Sequence, residues 1–295
     1  MTSHICLCYN KFVNTNLRVR PSPIVGQWYE GEPKALARSV DSYLNGAQLP
    51  ELHGEIIGVV APHAGHQYSG PVAGYAFAAL RGRTPDLVAV LSPFHNFHNA
   101  PLITSAYDAY ETPLGIIPID DVSVQEMNTL LKSALGFGLT RISNDPEHSL
   151  EIELPFLQRS LKSEWKLLPV MVRAVEPRVS QALGKALAKV LQGKNAILVA
   201  STDLSHYYNQ ETALAFDSFM LSKIEAFDPD GAFDAERDDK GFACGLGALT
   251  AVLWACKELG ADAVKILNHA TSGDVTGDYS GVVGYGAAAI LKSKT

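Results

Sequence analysis

Six short runs rich in β-branched and apolar residues recur along this chain, and they constrain its fold more than any other feature. They are EIIGVVA (55–61), DLVAVLS (86–92), WKLLPVMV (165–172), NAILVAS (195–201), AVKILNHA (263–270) and SGVVGYGAAAI (280–290). Most are apolar at both odd and even positions, the pattern of strands buried on both faces. Stretches with helical spacing of apolar residues lie between them, at 32–47, 71–82, 121–135, 180–193 and 247–260, with Pro71 at the expected start of the second. Strands alternating with helices of this length predict an α/β fold. It is a single layered domain, with a mostly parallel or mixed central β-sheet and helices on both faces. No internal repeat, low-complexity tract or long linker divides the chain. Residues 18–295 are therefore expected to form one domain, and residues 1–17 a disordered or extended leader.

The composition suits a large interior, with 47% hydrophobic and 19% charged residues among 295. It also narrows the partners. A net charge of −7 argues against a nucleic-acid groove, which needs clustered Lys and Arg. No run of 18 apolar residues exists, so no membrane helix is expected. The apolar stretch at the N-terminus is short and broken by His4, Asn10 and Lys11, unlike a signal peptide. A cytoplasmic location is expected. The four cysteines, Cys6, Cys8, Cys244 and Cys256, are too few for a disulfide framework in a chain of this length. Cys6 and Cys8 lack histidines at ligand spacing and are read as part of the leader.

In open α/β sheets, ligands bind beyond the carboxyl ends of the strands, where the loops converge. Three predicted strand ends carry histidine: His63 follows 55–61, His95 and His98 follow 86–92, and Asp203 and His206 follow 195–201. A fourth ligand-type residue, Cys244, stands just before the helix at 247–260, where the helix dipole favours the thiolate. Taken singly, each has a structural explanation: a hydrogen-bonded histidine, an Asp203 helix cap, a small buried thiol. Their coincidence at the strand ends and helix start of one sheet points to a shared site. Two histidines and a thiolate suit a first-row transition metal that keeps an open position. His206, titrating near neutrality, then suits a general acid–base role, with Asp203 placed to fix its tautomer.

Two further stretches are polar. In NDPEHSLEIELPFLQ (144–158), Asp145 reads as an N-cap, Pro146 as the first helical residue and Glu147 as a charge favouring the helix start. Leu150, Leu154 and Leu157 form its apolar stripe, and His148 is left either facing the cleft or exposed. The glycine-rich segment 268–286 has no Lys and no Gly-x-Gly-x-x-Gly pattern, so it reads as a loop packed near the cleft rather than a phosphate loop. His269 within it reads as structural.

From about Arg18 onward the chain resembles the Memo family, named for a mediator of receptor-driven cell motility. The segments that carry the resemblance are RPSPIVGQWYEG, APHAGHQYSGPVAGYAFAAL, LSPFHN, EHSLEIELPFLQ, STDLSHYY, CGLGAL and TSGDVTGDYSGVVGYGAAAI, in the family's order. Memo proteins are similar to the class III extradiol dioxygenases, which hold non-haem iron with two histidines and a glutamate. The resemblance implies a metal centre in which His63 and His95 are ligands and Cys244 stands in the carboxylate's place. It also implies that His206 is the catalytic base, with Asp203 beside it. It further implies a dioxygenase-like oxidoreductase acting on a small-molecule substrate, with divalent iron or copper as the metal and zinc, with hydrolytic chemistry, as the alternative. A thiolate in place of a carboxylate makes the site softer and open to oxidation. Some relatives are associated with phosphotyrosine peptides and others with a radical-SAM companion, so a binding module for a peptide or partner protein is the competing implication. The scarcity of Arg near the cleft disfavours the phosphopeptide.

The chain departs from its relatives at three positions. His66 replaces a more usual tyrosine, adding another ligand or a cleft-wall residue next to Tyr68. Asn96 follows His95 where many relatives have a second histidine. Glu30 replaces a proline after Trp28 and Tyr29.

Overall fold

Each of the six apolar runs forms a strand in the computed structural model, which describes residues 17–293. Among the described residues the strands are β1 (Val19–Arg20), β2 (Glu55–Ala61), β3 (Leu87–Pro93), β4 (Leu102–Ser105), β5 (Ala109–Thr112), β6 (Gly115–Pro118), β7 (Thr140–Ile142), β8 (Lys166–Val172), β9 (Ala196–Ser201), β10 (His206–Tyr208), β11 (Ala263–Thr271) and β12 (Val282–Lys292). The helices are α1 (Pro33–Gly46), α2 (His66–Ala78), α3 (Asp121–Leu135), α4 (Leu154–Ser160), α5 (Pro177–Leu191), α6 (Gln210–Glu225), α7 (Pro229–Arg237), α8 (Leu246–Glu258) and α9 (Gly273–Thr276). The leader expected over 1–17, with Cys6 and Cys8, lies outside the described residues except for Leu17.

The large sheet is mixed, in the order β10-β12-β2-β9-β3-β8-β4-β7, with β11 also paired to β12. At its centre β2, β9, β3 and β8 run parallel to one another, with Gly58 opposite Leu198 and Leu87 opposite both Ala196 and Lys166. β12 and β4 flank this group antiparallel. β3 is buried along its whole length, which is why its sequence shows no alternation. Helices cover both faces: α8 packs on β2, β3, β8 and β9 and against α5, while α2 packs on β2, β11 and β12 and against α1. One hydrophobic core runs through these layers. A separate small sheet, β1-β5-β6, was not anticipated from the sequence.

Two boundaries differ from the sequence reading. α2 begins at His66, so Pro71 lies inside the helix rather than at its start. The loop joining β2 to α2 is consequently only 62–65, and His63 sits within it. The segment 144–158 is not one helix capped by Asp145. Residues 144–150 form a loop, and a short 3₁₀ turn, Glu151–Glu153, leads into α4. Asp145 is instead drawn inward by Arg20, which is 2% exposed. Arg20 Nε donates to Asp145 Oδ2 at 3.0 Å, and Nη2 donates to Asp145 Oδ1 and to the Glu147 carbonyl, each at 2.7 Å. Arg20 also pairs with Glu151, which accepts from Tyr29 Oη at 2.7 Å. A buried arginine of this kind must have its donors satisfied. Here the partners that satisfy it belong to the loop carrying Glu147 and His148.

Candidate metal centre

Because β2, β3 and β9 are parallel, their carboxyl ends open on the same edge of the sheet. The residues that follow them meet there. One ligand atom from each of His63, His95 and Cys244 lies within 4.8 Å of the other two. His63 comes from the β2–α2 loop, His95 from just after β3, and Cys244 from just before α8. His63 is buried and Cys244 partly buried, whereas the His95 side chain is 37% exposed and leaves that side of the group open.

Hydrogen bonds fix the state of both imidazoles. Ser201 Oγ donates to the Ser149 carbonyl at 2.7 Å, so it accepts from His63 Nδ1 at 2.9 Å. This leaves His63 Nε2 with its lone pair, 3.1 Å from Cys244 Sγ. His95 Nδ1 donates to Glu147 Oε1 at 2.9 Å, and the His95 backbone N–H donates to Glu147 Oε2 at 2.6 Å. In the neutral ring its Nε2 is then the lone-pair nitrogen. A carboxylate behind a ligating histidine is a recurrent support of metal sites, because it orients the ring and raises its basicity.

Glu147 is buried, and burial works against its charge. The hydrogen bond from His95, the Ser149 N–H and the nearby His148 outweigh that cost and hold its carboxyl well below the usual range. The His63 pKa is pushed well below its ordinary value, first by burial and then by the neighbouring His95 and His148. Burial also pushes the Cys244 thiol up, with Asp203 adding to the effect. For Cys244, burial thus opposes the thiolate expected from the helix start and favours the thiol. Its Sγ–H donates to His63 Nε2 instead.

The other sequence candidates fall in distinct places. His148 belongs to the centre: its ring stacks on His95 with centroids 4.8 Å apart, lies 5.5 Å from His63 and packs on Trp28 at 4.0 Å. Burial lowers its pKa to about 4. His206 is close enough for its charge to act on His63. Its Nδ1 donates to the Leu204 carbonyl at 2.8 Å, so Nε2 is the free nitrogen. Leu204, not Asp203, thus sets the His206 tautomer. The Asp203 carboxylate accepts from the His63 backbone N–H at 2.7 Å, and the Asp203 carbonyl accepts from the Cys244 N–H at 3.2 Å. Asp203 therefore ties the two ligand loops together, and burial raises its pKa to about 7.

His66 does not join the group. Its Nε2 donates to the Ile152 carbonyl at 3.0 Å, and its ring packs between Tyr29 and Phe156. With Tyr68 it lines a cavity of about 700 Å³ beside the centre. His98 accepts from the Ala100 N–H, and His269 Nε2 bonds Asp217 Oδ2 at 2.9 Å; neither joins the group.

Sequence reasoning missed the supports, chiefly Glu147 and Ser201. Glu147 was read as a helix-start charge, and its adjacency to His148 was the signal available. Nothing local distinguishes Ser201 from any other strand-end serine.

Comparison with known proteins identifies the family of the chain. The model of the Memo-like protein family matches residues 20–289. A MEMO1 family protein of Nitrosopumilus maritimus is 33% identical over 274 residues, covering 91% of this chain and 98% of the relative. Those of Methanopyrus kandleri and Methanococcoides burtonii are each 34% identical, over 281 and 276 residues, covering 91% and 93% of this chain and 97% and 100% of the relatives.

Proposed function

The chain belongs to the Memo family, and we propose that His63, His95 and Cys244 hold a single divalent transition metal that supports O₂-linked oxidation of a small organic substrate. The observation that carries this reading is the convergence of three ligand atoms from three separate elements, with both imidazoles already in the tautomer that leaves Nε2 free. Two nitrogens and a sulfur fit iron, copper or zinc, and the sulfur favours the softer ions. Iron or copper is the reading adopted; such an ion supplies electron exchange with O₂ when bound.

The chain's own residues do the remaining work. Holding a metal through both Cys244 Sγ and His63 Nε2 would displace the proton between them, so metal uptake would release it. Glu147 and Ser201 hold the two rings in register. His206, its ring fixed by the Leu204 carbonyl, has Nε2 free to act as a base. Trp28 packs on His148 at one side of the centre.

Metal quantification on protein purified without oxygen tests the reading. About one ion per chain is expected in the wild type. His63→Ala and Cys244→Ala should each retain less than about a tenth of it, with unchanged circular dichroism. Full retention in both variants would sink the assignment.

A second reading uses the same cleft to bind a peptide or a partner protein, such as a radical-SAM companion, without turnover. The cavity beside the centre, with exposed Tyr207 and Tyr279 nearby, favours it. Binding that persists after chelation, in protein with no oxidase activity, would select it.

A further inference from the structure

The cavity of about 700 Å³ borders the metal centre through three residues. Trp28 in its wall packs on His148, Ala64 follows His63, and Tyr207 follows His206. Its lining is unusual in charge. Trp28 and five tyrosines, Tyr68 and Tyr207 among them, supply aromatic surface, and Glu30 and Asp278 supply carboxylates. No Lys or Arg lines it among the described residues. An anionic ligand would meet two like charges and no counter-ion. A cation would meet ring faces, whose quadrupoles attract it, and two carboxylates.

Two features set this wall apart. His66 is almost wholly buried, and its Nδ1 has no hydrogen-bond partner. With Nε2 donating to Ile152, that Nδ1 is an unmet acceptor. Tyr207 has φ +64°, a conformation that costs a bulky residue, at the point where the β10–β12 register shifts. The bulge turns its ring away from the ladder, 80% exposed, onto the cavity.

We propose that this cavity is the substrate pocket of the metal centre and takes a small organic amine in its protonated form. The ammonium lies against the aromatic wall and within reach of Glu30 and Asp278, and Tyr207 sits over the ligand as a specificity residue beside His206. This rests on the reading that the centre acts on a small organic substrate, and it names the class.

Isothermal titration of the full chain, metal-free and metal-loaded, separates the two claims. The probes are tyramine and 3-(4-hydroxyphenyl)propionate, which pair the same phenol with opposite charge, together with O-phosphotyrosine. Tyramine should bind at least about tenfold more tightly than either anion, in both forms of the protein. Glu30→Gln with Asp278→Asn should weaken it about fivefold or more, and Tyr207→Ala about threefold or more, without affecting the anions equally. All three side chains are exposed, so the fold is not at risk; thermal unfolding of each variant checks this. Anions binding as tightly as tyramine, no binding of tyramine at millimolar concentration, or an unchanged preference in the double carboxylate variant would each overturn the proposal. Metal stoichiometry measured on the same samples reports separately on the centre, so either claim can fail alone.

Discussion

His66 and His63 stand three residues apart, yet their chemistry diverges because their neighbours differ. His63 meets Ser201 and Cys244, whereas His66 enters the first turn of α2 and is enclosed by Tyr29, Phe156 and the Ile152 carbonyl. Burial lowers the His66 pKa to about 4, against a smaller opposing pull from the Ile152 carbonyl. The folded protein therefore keeps this ring neutral, while the unfolded chain takes up its proton near pH 6.5. Its contribution is complete above pH 6.5 and is lost as pH falls from there toward 4, up to about 3 kcal/mol. Replacing His66 with Phe removes that dependence. Urea unfolding at pH 7 and pH 4.5 should show a stability drop about 2 kcal/mol smaller in the variant. Equal drops would mean the ring titrates normally.

At the level of elements, the centre depends on how closely α8 approaches the end of β9. Gly245 is the N-cap of α8, and a Cβ there would lie 2.5 Å from the Ser201 carbonyl and 2.8 Å from Thr202 Cβ. Both neighbours belong to the strand end that also supports His63. Gly245→Ala must push the start of α8, and Cys244 with it, away from the imidazoles. A cost of about 1–3 kcal/mol is expected, together with weaker metal uptake although no ligand has changed. Urea unfolding and metal analysis on one preparation would check both, and wild-type values for each would show that the approach is slack. The segment 144–158 teaches the complementary lesson. Its apolar stripe correctly marked α4, but Asp145-Pro146 imitates a helix start so well that local rules assign it one. Its true partner, Arg20, is 125 residues away in sequence.

For the whole molecule, a site assembled from strand ends far apart in sequence exists only in the folded chain, so binding of the proposed ion would be linked to folding. A hundredfold excess of free ion over Kd adds about 2.7 kcal/mol. In a chain of 295 residues that raises Tm by about 4–5 °C. The shift should appear in the wild type and largely vanish in Cys244→Ala; an equal shift in both would locate the ion elsewhere. Among the described residues, no helix is long and apolar enough to cross a membrane. The sequence by itself determined the α/β class, the main strands and helices, and the ligand-type residues at strand ends, because periodicity and chain position are local properties. Only the tertiary structure decided which histidines converge, which ring nitrogens face a hydrogen-bond partner and how burial acts on the Cys244 thiol. It likewise turned Glu147 and Asp145 from helix-start charges into buried supports. Those outcomes depend on parallel pairing, burial and partners such as Ser201 and Arg20, contributed by segments more than a hundred residues apart.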